Sequence, residues 1–276
     1  MVERIMDPNN IRADHLERYN FAVKRLKDLK PENILDIGCG IGYGSVIMHN
    51  LLCASIDCID KSVEAHDVFE EAFRLDVGNV NYIVTDITKL EPRTLRPAYD
   101  AVVSFEFIEH IPPELSQDVF DLAADKSDIF IVSSPNECVR PHQLPPINEF
   151  HYKHYTPAEF EAMGKQAGFT DVEFFCQTSG KHYTVRPGLE QGKFMIGVFT
   201  KAKVLGGGMG THSIHSNPAI LGIQSGEILE KTIIDTFSIS YYVKLPESKN
   251  KKELEELKNK LNRDGFERDY AIEKKD

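Results

Sequence analysis

The 276-residue chain is 41% hydrophobic and 27% charged, a composition typical of a globular protein with one or two domains. Its formal net charge of −11 makes nucleic acid a disfavoured partner, because phosphate backbones repel a negative surface. Five cysteines without a CxxC pair, the lack of a secretory leader and the absence of a membrane-length apolar run predict a reduced, cytoplasmic setting.

The first predicted part of the chain, residues 1–30, is a helical lead-in. Apolar residues recur there at three- and four-residue steps: Leu16, Tyr19, Val23 and Leu26. Two side chains of this helix, His15 and Tyr19, either close over a ligand as a lid or simply pack on the rest of the protein.

The second part, residues 31–201, alternates short apolar runs with amphipathic stretches, a pattern typical of βαβ units on a parallel sheet. We therefore predict an α/β, Rossmann-like domain. The predicted strands are 33–37, 55–59, 80–84, 101–104, 129–133, 172–176 and 194–200. The predicted intervening helices are 65–73 and 157–167.

The third part, residues 202–276, is predicted to be a C-terminal extension. It contains a glycine-rich hinge at 206–210, a strand or hairpin over 232–245 and a highly charged helix. Three leucines share one face of that helix: Leu254, Leu257 and Leu261. They predict docking either on the core or on a second copy of the chain, which would make a homodimer.

The strongest motif is a run of alternating glycines directly after the first strand, at Gly38, Gly40 and Gly42, with Asp36 two residues before the first of them. Glycine lets the backbone turn tightly and approach a ligand closely. No lysine follows, which excludes a P-loop, and the third glycine of the dinucleotide fingerprint is missing. A carboxylate at Asp36 suits a cationic cofactor such as S-adenosylmethionine, which carries an ammonium and a sulfonium group.

Further polar residues follow the later strands. Asp60 comes 20 residues after Gly40, where an acid accepts hydrogen bonds from ribose hydroxyls. Asp86 follows the third strand and suits an adenine amino group. Any one such aspartate is more often a capping or solvated residue, but successive strand ends meet at the ligand-binding edge of an α/β sheet. Ile87 and Ser104 complete the predicted cofactor site.

Together these segments resemble class I S-adenosylmethionine-dependent methyltransferases, and within them the ubiquinone-biosynthesis O-methyltransferases and related small-molecule and sugar methyltransferases. The matching segments are LDIGCGIGYGS, CIDKSVEA, NVNYIVTDIT, YDAVVSFEFIEHIP, FIVSSPN and EFHYKHYTPAEF. The resemblance implies a seven-stranded sheet whose last strand is antiparallel. It also implies that the glycine loop holds the methionine part of the cofactor, Asp60 the ribose and Asp86 the adenine. One departure is the stretch 123–128, which lacks the family's usual glycine turn.

The segment after the fourth strand is rich in acids and histidine. Glu106, Glu109 and His110 would share one face if the segment is helical, and His151 lies in a later loop. Three interpretations are open. In the first, these residues stabilise the fold. In the second, His110 or His151, grouped with Glu109, acts as a catalytic base. In the third, Glu106, Glu109, His110 and His151 hold a divalent metal such as magnesium.

The loop that contains His151 precedes a well-marked helix start. Thr156 is a predicted N-cap, Pro157 the first helical residue and Glu159 the partner in a capping box. The loop itself carries aromatic side chains that either line a substrate pocket or pack together: Tyr152, His154 and Tyr155.

We therefore predict a methyltransferase that methylates the hydroxyl of a small molecule or sugar by direct displacement from S-adenosylmethionine. Two alternatives stay open. The first is a metal-dependent RNA 2′-O-methyltransferase, because the RNA 3′-terminal enzymes carry a similar Glu-x-x-Glu-His motif. The second is a non-catalytic scaffold that binds the cofactor.

Overall fold

The computed structural model of the chain describes residues 6–73, 78–146, 148–177, 183–189 and 192–202. The hinge, hairpin and leucine-bearing helix predicted within 202–276 lie outside the described residues. Among the residues described, no helix is both long enough and apolar enough to cross a bilayer.

The described residues form both α-helices and strands. The α-helices are Ala13–Leu26 (α1), Tyr43–Leu52 (α2), Val63–Ala72 (α3), Ser116–Lys126 (α4) and Pro157–Ala167 (α5). The strands are Asn33–Ile37 (β1), Ser55–Asp60 (β2), Val80–Val84 (β3), Ala101–Phe105 (β4), Ile129–Pro135 (β5), Asp171–Gln177 (β6), Val185–Pro187 (β7) and Phe194–Thr200 (β8). Helices and strands alternate from α1 to β3 and from β4 to β6, which is the order of an α/β protein.

The strands form one mixed sheet in the order β3-β2-β1-β4-β5-β8-β6-β7. The five strands from β3 to β5 in this order are parallel, whereas β8 lies antiparallel between β5 and β6. The strand order reverses between β1 and β4, which is the topological switch point where open α/β sheets bind their ligands.

The predicted Rossmann-like fold with an antiparallel last strand is confirmed, and all seven predicted strands are present. The predicted strand number is wrong by one, because β7 pairs with β6 at the edge of the sheet. Only three residues long and ending in Pro187, β7 offers no alternating apolar run by which its sequence could be recognised.

The sheet is covered by helices on both faces, which is why β4 and β5 are almost wholly buried. Successive residues of β1 enter opposite cores: Ile34 packs on the side of α1 and α2, and Leu35 on the side of α4 and α5. In the second core, the Phe120 ring lies 5.3 Å from those of Phe130 and Phe199, in edge-to-face contact. The two cores hold the strand ends in fixed positions.

The turn before β5 is built without the glycine that is usual in the family the sequence resembles, as the departure at 123–128 predicts. The Ser127 backbone N–H donates to the Ala123 carbonyl at the end of α4, and the Ser127 hydroxyl accepts from the Ile129 N–H. A serine therefore closes the helix and starts the strand by satisfying these backbone groups.

Helix α5 begins with the predicted capping box. The Thr156 hydroxyl accepts from the Glu159 N–H at 3.2 Å, and the Glu159 carboxylate accepts from the Thr156 N–H at 2.8 Å. These two bonds satisfy backbone donors that the first turn of a helix leaves open. The cap also fixes the end of the loop that carries His151.

Thr156→Ala is expected to lower the free energy of unfolding by about 1 kcal/mol, because it removes the N-cap acceptor. Urea unfolding followed by circular dichroism measures the change. Thr94→Ala is the matched control, since Thr94 is exposed in a short turn outside this contact network. An equal loss in both variants would contradict the assignment of a stabilising cap.

Candidate functional site

The glycine loop connects β1 to α2 at the switch point. Gly38, Gly40 and Gly42 all have φ between 57° and 79°, the left-handed region that glycine adopts without strain. A side chain at Gly38 would also collide with Phe107, whose ring lies 2.4 Å from the position of a Cβ. The N–H of Gly38 donates to the Ile59 carbonyl at 2.8 Å, which ties the loop to the end of β2.

A cavity of about 750 Å³ opens beside this loop at the carboxyl ends of the parallel strands. That volume falls within the range typical of small-molecule sites. Most of the predicted site residues line it: Gly38, Gly40, Asp60, Asp86, Ile87, Glu106, Glu109, His110 and His151. Three predicted cofactor residues, Asp36, Gly42 and Ser104, are not among those that line the cavity.

Asp60 is buried at the end of β2 and lies directly beside the glycine loop. Its carboxylate accepts from the Gly40 N–H at 3.0 Å and from the Ser62 N–H at 2.9 Å. These two bonds hold the carboxylate at the edge of the cavity, which Asp60 lines. Asp60 therefore supports the loop and faces the cavity at the same time.

Asp86 follows β3 and caps a short 3₁₀ turn at Ile87–Lys89. Its carboxylate accepts from the Thr88 N–H and hydroxyl at 3.0 and 2.9 Å, and these bonds lower its pKa. Asp86 thus acts as a capping residue and also lines the cavity, together with Ile87.

Asp36 lies behind the loop, fully buried between β1 and α2. Its carboxylate accepts from the Ser45 hydroxyl at 2.7 Å and from the Tyr19 hydroxyl at 3.2 Å. Burial raises the pKa of Asp36 to about 7, although both hydrogen bonds act in the opposite direction. The side chain buttresses the glycine loop and does not form part of the cavity wall.

Asp36→Asn is expected to change how stability depends on pH. An acid whose pKa is raised by folding makes its largest contribution to the stability of the folded protein below its unfolded pKa, which is about 4 for aspartate. This contribution is lost as the pH rises towards the folded pKa of about 7. The unfolding free energy of the variant relative to wild type should therefore rise by about 2 kcal/mol between pH 5 and pH 8. Urea titrations across this range measure it. A difference independent of pH would show that Asp36 titrates normally.

The positions of Gly42 and Ser104 are likewise structural. Gly42 is the N-cap of α2, and a side chain there would meet the Phe69 ring at 2.5 Å. The buried Ser104 hydroxyl donates to the Ile37 carbonyl at 3.0 Å and so joins β4 to β1. Both residues therefore lie outside the cavity lining and stabilise the backbone next to it.

The segment after β4 is not an α-helix, so Glu106 does not share a helical face with Glu109 and His110. Only Ile108–His110 forms a 3₁₀ turn, and Glu106 has a left-handed φ of 50°. The Glu106 carboxylate instead accepts from the Ser133 hydroxyl at 2.7 Å and lies 3.6 Å from the Arg18 guanidinium. The predicted group of four residues is thereby divided.

The other three residues of that group come together. One ligand atom each from Glu109, His110 and His151 lies within 4.8 Å of the others, on the cavity wall. The Glu109 side chain is fully buried, and the two imidazole rings meet edge to face with centroids 4.7 Å apart. The geometry thus joins a carboxylate and two imidazoles, groups that can move a proton or hold a metal.

Hydrogen bonds fix both imidazole rings. His110 Nδ1 donates to the Phe150 carbonyl at 3.0 Å, which places the lone pair of neutral His110 on Nε2. His151 Nδ1 lies 2.8 Å from His154 Nε2, and His154 Nδ1 donates to the Arg140 carbonyl at 2.7 Å. Burial lowers the pKa of His154. Of the aromatic loop residues, Tyr152 lines the cavity, whereas Tyr155 packs in the core.

Arg18 is a site residue that the sequence analysis missed. It is fully buried, lines the cavity and stacks on the Phe194 ring at 4.6 Å. Within the described part of the chain, its guanidinium nitrogens have no hydrogen-bond partner, and its ion pairs with Asp14 and Glu106 are 3.6 Å long. The signal available was helical spacing, because Arg18 lies three residues after His15 and beside Tyr19 on the lead-in helix.

Helix α1 itself forms one wall of the cavity through His15, Arg18 and Tyr19. His15 Nδ1 is 3.1 Å from the Tyr43 hydroxyl, and the Tyr19 ring contacts Tyr43 and Phe105 edge to face. The two side chains therefore pack on the domain and border the site as well. Closure of this helix over a ligand stays a prediction.

The family is shown by sequence comparison. A family model described as "Methyltransferase domain" matches residues 11–173, more than half of the chain. The chain belongs to this methyltransferase family. The matched range contains the glycine loop, the acids at the strand ends and the carboxylate–histidine group. No curated protein matches this methyltransferase closely in sequence.

Solved structures with the same fold include methyltransferases. The methyltransferase domain of bacterial CtHen1 is 20% identical with a TM-score of 0.52, and the match covers 68% of this chain and 99% of that one. Magnesium protoporphyrin IX methyltransferase from Synechocystis PCC 6803, with bound S-adenosylhomocysteine, is 18% identical with a TM-score of 0.53, covering 70% and 85%. The N-terminal domain of EvdMO1, with S-adenosylhomocysteine and D-fucose, is 17% identical with a TM-score of 0.51, covering 69% and 84%.

At sequence identities of 17% to 20%, similarity to these structures shows only that the fold is shared. The activity is supplied by the family match. The protein is an S-adenosylmethionine-dependent methyltransferase. The family match does not distinguish the ubiquinone-biosynthesis O-methyltransferases, which the sequence resembles, from other branches of the family.

Proposed function

We propose that this methyltransferase transfers the methyl group to a hydroxyl oxygen of a small molecule or sugar. The observation that carries the proposal is the meeting of Glu109, His110 and His151 on the wall of the cavity that also contains the glycine loop. An alcohol or phenol must lose its proton as it attacks the sulfonium methyl, so O-methylation needs a base at this position.

His151 is the proposed base. Its ring is buried on the cavity wall and backed by His154, whose imidazole nitrogen is a strong acceptor for the Nδ1–H of the imidazolium. Glu109, buried beside it, stabilises the positive charge that His151 gains when it takes the proton. His110 bounds the same space and helps to orient the acceptor oxygen.

The cofactor is proposed to lie along the glycine loop. Asp60 would accept from the ribose hydroxyls and Asp86 from the adenine amino group, while Gly38 and Gly40 allow close approach of the methionine part. Arg18 is the proposed partner of the methionine carboxylate, because its buried guanidinium lines the cavity and, within the described residues, its side-chain nitrogens make no hydrogen bond.

The carboxylate and two imidazoles also fit a divalent metal such as magnesium, manganese or zinc. Glu109, His110 and His151 would hold it, and when bound it would lower the pKa of the acceptor hydroxyl. Glu106, assigned to this set by its sequence spacing, is engaged with Ser133 and Arg18 instead. A rate unchanged after treatment with a chelator would remove the metal from the proposal.

The experiment is to supply S-adenosylmethionine with a carbon-13 methyl group and three acceptors: a catechol, a sugar and a short RNA. The carbon chemical shift of the product distinguishes O-methyl from N-methyl and C-methyl groups. We expect O-methyl signals from the catechol or the sugar. Methyl transfer only to nitrogen or carbon would overturn the proposal, and transfer only to the ribose of RNA would establish the RNA alternative instead.

A further inference from the structure

The structure contains a second layer of hydrogen bonds behind the proposed base. His154, itself buried, lies between His151 and the backbone, with Nε2 2.8 Å from His151 Nδ1 and Nδ1 2.7 Å from the Arg140 carbonyl oxygen. The two contacts of His154 form a continuous chain from the backbone to the proposed base.

The hydrogen-bonding capacity of each group decides where the protons lie. A carbonyl oxygen only accepts, so His154 Nδ1 must carry a hydrogen and donate it to Arg140. In neutral His154 the lone pair is then on Nε2, and this nitrogen accepts. His151 Nδ1 must therefore donate to His154, which leaves the lone pair of His151 on Nε2.

We propose that His154 is a positioning residue that holds His151 in the tautomer with the proton on Nδ1 and the lone pair on Nε2. This inference rests on the proposed function, in which His151 Nε2 takes the proton of the acceptor or binds a metal. The opposite tautomer would present an N–H to the acceptor and could do neither. Free histidine favours that opposite tautomer in water, so the protein must reverse the preference.

The backbone around His151 is held by bonds that do not involve the His154 ring. His142 Nε2 donates to the His151 carbonyl at 3.1 Å, and the Tyr152 N–H donates to the Glu109 carbonyl at 2.8 Å. The Glu137 N–H donates to the Tyr155 carbonyl at 3.0 Å. These bonds place the loop, whereas the His154 ring selects the tautomer of His151.

The test uses two substitutions, each of which keeps a different one of the two hydrogen bonds of His154. In His154→Gln the amide oxygen reaches the position of Nε2 and can still accept from His151. In His154→Asn the shorter amide reaches the position of Nδ1 and can still donate to Arg140, but His151 loses its acceptor. A structural anchoring role would favour Asn, and tautomer selection would favour Gln.

The first readout is nitrogen-15 NMR of the imidazole rings, which identifies the protonated nitrogen without any turnover. The His151 signals are assigned by their absence from His151→Ala. We expect protonated Nδ1 in wild type and His154→Gln, and loss of this tautomer in His154→Asn. Protonated Nε2 at His151 in the wild-type protein would overturn the proposal, whichever acceptor the enzyme methylates.

The second readout is the rate. Loss of such an outer contact typically lowers activity by about 10- to 100-fold, which we expect for His154→Asn, whereas His154→Gln should recover most of the rate. The reverse order would overturn the proposal in favour of loop anchoring through Arg140. Because the NMR measurement stands without catalysis, failure of the tautomer assignment is distinguishable from failure of the proposed O-methylation.

Discussion

Replacing His151 by alanine is expected to lower kcat by a factor of about 10² to 10⁴, the usual contribution of a positioned base. Cofactor affinity should change little, since the residues proposed to hold S-adenosylmethionine lie along the glycine loop and at Asp60. A direct assay with the accepted hydroxyl substrate, at saturating cofactor, measures kcat. Calorimetry with S-adenosylhomocysteine measures the affinity.

Two further variants are assayed beside His151→Ala: His110→Ala as a second member of the group, and His66→Ala as the control. His110 belongs to the same group and should also lose activity, whereas His66 lies on α3, outside the residues that line the cavity, and should behave as wild type. Full activity in both His110→Ala and His151→Ala, with the cofactor bound, would refute the assignment of this group to catalysis.

The second large effect is expected at Asp60, on cofactor binding and not on the chemical step. Hydrogen bonds from a ribose to a charged acceptor contribute about 1.5–3 kcal/mol, so Asp60→Asn should weaken S-adenosylhomocysteine binding roughly 100-fold. Titration calorimetry on the purified variant measures the change in Kd. Circular dichroism must show a folded protein, because Asp60 also accepts from Gly40 and Ser62.

Asp57→Asn is the matched control for this measurement. Asp57 lies on the same strand and is equally buried, but it accepts from the Tyr99 hydroxyl at 2.6 Å and from Arg96 at 3.0 Å, outside the cavity. We expect it to lower stability while the remaining folded protein keeps its affinity. Equal losses of affinity at both positions would assign the effect at Asp60 to the fold instead of ribose recognition.

The sequence by itself determined seven of the eight strands and the position of the glycine loop. Each depends on a local pattern: apolar runs of strand length, glycines that relieve backbone strain, and a capping box at Thr156. The carboxyl ends of parallel strands necessarily meet at one edge, so Asp60 and Asp86 could be assigned to the cavity from strand boundaries alone.

Only the tertiary structure decided which polar side chains share a space. The sequence spacing could not show that Glu106 lies apart from the group of Glu109, His110 and His151. The left-handed backbone at Glu106 interrupts the helical face that the spacing predicted. Nor could the spacing show that Asp36 is enclosed behind the loop, that Arg18 reaches the cavity or that His154 supports His151. The contacts of Arg18 join residues far apart in the chain, and they depend on the packing of α1 against the sheet. His154 lies only three residues after His151, and their contact depends on the conformation of the loop that carries both.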